Sequence, residues 1–153
     1  MGLEKDIHQV KFKSARQKAM LNILFTYGWV LERIKSFLAS EDITHQQFNI
    51  LRILRGSHPE PLSTLQIRER MLDKMSDTSR IVDRLVIKGL VKKVVCSKDK
   101  RLVDVTITEK GQKLLKKLDT ESDHMDDIMG NLTEKESEML SMLLDRLRTN
   151  GKH

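Results

Sequence analysis

KKVVCSKDKRLVDVTIT, Lys92–Thr108, is the stretch on which the fold turns. Val94 and Val95, then Leu102, Val103, Val105 and Ile107, make two β-branched runs around a polar tip, Lys98, Asp99, Lys100 and Arg101. That pattern predicts a small β-hairpin with a basic end. The sequence on both sides of it has helical spacing instead.

Upstream, Met20, Ile23, Leu24, Tyr27, Val30, Leu31, Ile34, Phe37 and Leu38 recur at steps of three, four and one, which predicts one long amphipathic helix over 14–39. Three later helix starts carry the S/T-x-x-E/Q capping box, in which two side chains reciprocally satisfy backbone groups at a helix N-terminus. They are Thr44 with Gln47, Ser63 with Gln66, and Thr133 with Glu136, and they predict helices over 44–56, 63–72 and 133–149. A further helix is expected from Ser76 to about 88, with Ile81, Leu85 and Val86 inward and Gly89 as its left-handed stop. Another is expected from Thr108 to about Met129. The order is four helices, a hairpin and two helices, a mainly α fold with a small β-hairpin wing.

The chain has 153 residues, 33% of them charged and 4% aromatic, enough for a single domain with one core. It has no apolar run long enough for a membrane span and no apolar signal segment at its start. Its one cysteine, Cys96, has no internal partner, which fits a reducing cytoplasm. Charge is uneven: nine basic against six acidic residues give +3 over 1–60, twelve against seven give +5 over 61–111, and seven against nine give −2 over 112–153. A basic middle section suits a polyanion partner.

Two short helices joined by a tight turn and followed by a hairpin describe a winged helix-turn-helix, whose second helix enters the major groove of double-stranded DNA. Here that helix opens with Ser76, Asp77, Thr78, Ser79 and Arg80 and continues to Arg84. Hydroxyls and backbone N–H groups at its start suit bases or phosphates, and Arg80 can reach a guanine edge. Ser63 and Thr64, at the start of the preceding helix, are expected at phosphates. A wing tip with Lys98, Lys100 and Arg101 suits the minor groove, and Asp99 would orient Arg101 or shape the turn. A solvated basic turn is the alternative reading of the same tip.

At ITHQQFNILRIL (Ile43–Leu54), TSRIVDRLVIKGLVKK (Thr78–Lys93) and DKRLVDVTITEKG (Asp99–Gly111), the chain resembles the MarR family of transcriptional regulators. The resemblance implies a homodimer in which residues 1–39 and 112–149 form dimerisation helices and residues 44–111 form the DNA-binding part of one 153-residue domain. It implies that Arg101 is the minor-groove arginine with Asp99 its ionic partner, and that each protomer takes half of a pseudo-palindromic operator. It also implies a bacterial repressor, released by a small aromatic or lipophilic effector held near Tyr27, Trp29, His45 and Arg52. Ile107 stands where relatives carry Leu, Lys100 where a second Arg is common, and the helix LQIRERMLDKM lacks a small residue that relatives often have.

Other signals point less far. Cys96 reads as a small strand residue, and His124 with Asp127 falls short of the three or four convergent ligands a metal site needs. No P-loop, nucleophile elbow or HExxH is present, so no enzyme is expected, and neither cofactor nor metal. A dimeric sensor or protein-interaction module without specific DNA binding is the alternative function.

Overall fold

The computed structural model describes residues 2–95, 98–99, 103–121 and 123–149, with the backbone alone for 123–125. Two compact units divide the chain, Met1–His45 and Gln46–His153.

The first unit holds α1 (Leu3–Asp6), α2 (Ala15–Leu38) and a 3-10 turn over Ala39–Glu41. Residues before the long helix thus form a separate turn of helix. Ser14 starts α2 by accepting Gln17 N–H, and Asp42, at φ 52°, ends the 3-10 turn in the left-handed region. The apolar stripe is present but largely uncovered in the single chain. Met20, Ile23, Leu24, Phe25 and Tyr27 are exposed, and Leu38 is the residue of α2 that is buried.

The second unit contains α3 (His45–Ser57), β1 (Leu62–Ser63), α4 (Thr64–Arg70), α5 (Thr78–Ile87), β2 (Val91–Val95), β3 (Val103–Ile107), α6 (Glu109–Thr120), α7 (Asp123–Met129) and α8 (Glu134–Thr149). Its core joins Ile50, Leu51 and Leu54 of α3 to Ile67, Val82, Leu85, Val105, Leu115 and Leu118, all nearly solvent-free. Each such side chain contributes about 1.5–3 kcal/mol of transfer free energy. Across the surface of this core, Arg55 on α3 grips both carboxylate oxygens of Asp119 on α6, at 2.6 and 3.4 Å.

The hairpin has the register Val91↔Ile107, Lys93↔Val105 and Val95↔Val103. The two-stranded hairpin expected from the sequence is present and is extended by a third strand: Leu62 and Ser63 pair with Val105 and Asp104, giving a three-stranded antiparallel sheet in the order β1-β3-β2. A two-residue strand carries no periodicity of its own to read. The helix expected over 108–129 is likewise two helices, because α6 closes at Thr120 with Glu121 as its cap. α8 keeps its capping box, with Thr133 N–H to Glu136 at 2.8 Å and Glu136 N–H to Thr133 at 3.2 Å, yet buries no residue.

Candidate nucleic-acid interface

The helix-turn-helix is built from α4 and α5. Ser63 and Gln66 form the complete capping box of α4, Ser63 Oγ accepting Gln66 N–H and Gln66 Oε1 accepting Ser63 N–H. Ile67 and Met71 anchor this helix and the turn after it in the core. The turn is then held by side chains: Asn49 Oδ1 accepts Leu72 N–H and Asp73 Oδ1 accepts Met75 N–H, both at 2.9 Å. α3 therefore fixes where α5 begins.

The cap of α5 is Asp77, whose Oδ1 accepts Arg80 N–H at 3.3 Å, and not the expected Ser76. The buried stripe is correspondingly shifted. Thr78, Val82 and Leu85, at steps of four and three, are inside, whereas Ile81 is half-buried and Val86 exposed. Of the expected Ile81, Leu85 and Val86 face, Leu85 is buried as expected, and Val86 is the residue that turns outward. Thr78 is also no free hydroxyl on an open surface: it is 4% exposed, and its Oγ1, like Ser76 Oγ, is buried with no partner among the described residues. It lies on the inward face of α5, whereas the sequence reading placed it among the groove-facing residues. Ser79, Arg80, Asp83 and Arg84 are exposed, and the two arginines stand one turn apart on the outer face.

The base of the wing is tied to the end of α5. Gly89, at φ 74°, makes the left-handed stop that a side chain disfavours. Thr108 caps α6 by accepting Gly111 N–H at 3.2 Å and donates its own O–H to Gly89 O at 2.7 Å, while its N–H goes to Leu90 O. Lys93 on β2 ion-pairs with Asp83 on α5, a cross-link that no pattern in the sequence announced. At the far end of the hairpin Lys98 is exposed and Asp99 half-buried. Lys100 and Arg101, named from the sequence as wing residues, and Cys96 lie outside the described residues.

Ser63 is half-buried with its oxygen engaged in the cap, and Thr64 is half-buried as the first residue of α4. The four residues expected around an effector are distributed over both units. Tyr27 is exposed; Trp29 is half-buried with the Arg33 guanidinium 3.4 Å from its ring centroid; His45 is half-buried. Arg52, in the second unit, is exposed with its guanidinium 5.7 Å from the Phe48 ring. Among the described residues no three His, Cys, Asp or Glu side chains converge as metal ligands, and no helix is long and apolar enough to cross a membrane.

Residues 41–102 match the MarR family. A MarR transcription factor from Planctomyces limnophilus is 32% identical, with 88% of this chain and 98% of that one aligned and a TM-score of 0.67. The chain belongs to the MarR family. It is a DNA-binding transcriptional regulator with a winged helix-turn-helix, not an enzyme. The HTH-type transcriptional regulator MhqR of Bacillus subtilis is 28% identical over 129 residues, covering 82% of this chain and 86% of that protein. The MarR fold is shared with a mutant MarR from Escherichia coli complexed with operator DNA, at 22% identity, a TM-score of 0.75, and 96% of this chain and 99% of that one covered.

Proposed function

We propose that this MarR protein is a homodimeric repressor that occupies a pseudo-palindromic operator, with α5 in the major groove and the wing tip in the adjacent minor groove. The observation that carries this is the outer face of α5. Arg80 and Arg84 lie exposed one turn apart beside a capped N-terminus, and an ion pair joins that helix to the wing. Arg80 and Ser79 read base edges, while Arg84, Lys98 and Lys100 meet phosphates, with Ser63 and Thr64 supporting from the start of α4. Arg101, by its position in the DKR tip, is the minor-groove residue and Asp99 its partner. A mutant MarR of Escherichia coli that shares the fold is complexed with operator DNA, which supports operator binding.

Pairing of two copies rests on uncovered apolar surface. α2 exposes Met20, Ile23, Leu24, Phe25 and Tyr27, and α8 exposes Met139, Leu140, Met142, Leu143 and Leu147. A two-fold dimer through residues 1–39 and 112–149 would bury such faces and match an inverted repeat. Release by a small aromatic or lipophilic effector completes the reading. Such a compound acts only through unequal affinity for the DNA-competent and incompetent states.

Selection of bound duplexes from a random library, at near-physiological salt, tests the proposal. The expected result is an inverted repeat with half-sites about one helical turn apart. Arg80→Ala should alter preference among sequences, and Arg101→Ala should weaken binding of a still folded dimer. A folded dimer that enriches no sequence would overturn the operator reading in favour of an interaction module.

A further inference from the structure

Met75 and Leu72 are 92% and 87% exposed, a costly placement for two large apolar side chains. Neither belongs to a loose segment. Asn49 holds Leu72 N–H, Asp73 holds Met75 N–H, Ser76 N–H bonds Asp73 O at 3.3 Å, and Met71 is sunk in the core at 2% exposure. Polar side chains are spent on fixing a turn that presents apolar groups to solvent. Met75 lies two residues before the Asp77 cap, at the end of α5 that a helix-turn-helix inserts into DNA.

We propose that Met75 is a specificity-determining residue that packs against the C5 methyl group of a thymine in the major groove. The inference rests on α5 being the groove helix. In that groove the thymine methyl is the apolar feature of the base-pair edges, and a thioether chain has no N–H or O–H with which to read the others. Its unbranched, polarisable stem adapts to such a contact. The phosphates are served instead by cations such as Arg84. Ile87, 85% exposed at the opposite end of the ten-residue helix, lies about 13 Å along the axis from its start and is the internal control.

The test uses the inverted repeat recovered by the selection, with each thymine replaced in turn by deoxyuridine, which removes the methyl and nothing else. For the wild-type protein one position per half-site should cost about fourfold in affinity, the worth of one buried methyl group. Met75→Ala should bind the natural operator less tightly and be indifferent to deoxyuridine at that position. Met75→Leu should keep the sensitivity, and so should Ile87→Ala. Deoxyuridine sensitivity in Met75→Ala equal to that of wild type at every position would overturn the assignment and leave the exposed pair to a protein partner. Failure to recover any repeat would instead bring down the underlying operator reading, and this inference with it.

Discussion

Lys93 on β2 donates to Asp83 on α5, so the wing and the second helix of the helix-turn-helix share an ion pair one turn from Arg80. Both side chains are substantially exposed, at 38% and 58%, which limits the pair to about 0.2–1 kcal/mol of stability and leaves it open to salt screening. Its consequence is positional. The aliphatic stem of Lys93 leaves the sheet opposite the buried Val105, and its ammonium fixes how the strand lies against the helix.

Asp83→Asn or Lys93→Met should therefore lower operator affinity several-fold while moving the thermal midpoint by only a few degrees. The double variant Asp83→Lys, Lys93→Asp should recover affinity. Equal affinity in all four proteins, measured by titration at low salt, would mean that the sheet alone aims the wing.

Thr78→Val should raise stability by about 1 kcal/mol, because it removes a buried hydroxyl that has no partner among the described residues and keeps the shape. Operator affinity should not fall. A loss of affinity without a loss of stability would return Thr78 to the DNA-contacting set.

Gly111→Ala should destabilise by about 2–3 kcal/mol. A Cβ there would lie 2.4 Å from Leu90 O and 2.7 Å from Ile107 Cγ1, and the first of these is backbone held by the wing base. Denaturant unfolding measures the loss directly; near wild-type stability would show that the Gly89–Leu90 segment shifts at little cost.

The Glu4 carboxyl is held below its ordinary value, first by the hydrogen bond from Lys18, then by its own backbone N–H, with the Lys18 charge adding to both against partial desolvation. A folded-state value below the unfolded one means a contribution present above the ordinary carboxylate value and lost as pH falls through the lowered one. Carboxyl NMR titration should show the lowered value in wild type and its return toward normal in Lys18→Met. An unchanged titration in that variant would assign the shift to the backbone.

The sequence by itself determined what is decided within a few residues of chain. Ser63, Thr108 and Thr133 were readable as helix starts because a cap joins positions three apart. The hairpin was readable from β-branched runs, and Gly89 from the end of a helical pattern. The wing signature named the family before any coordinates. What tertiary structure alone decided depends on partners distant in sequence. Leu62 and Ser63 are a strand only because β3, some forty residues later, pairs with them. Asp77 displaced Ser76 as the cap, and Thr78 turned inward, because Asn49 and Met71 fix the turn and hence the rotation of α5 about its axis. That rotation decides which side chains face the core and which face the groove, and residue types alone do not encode it.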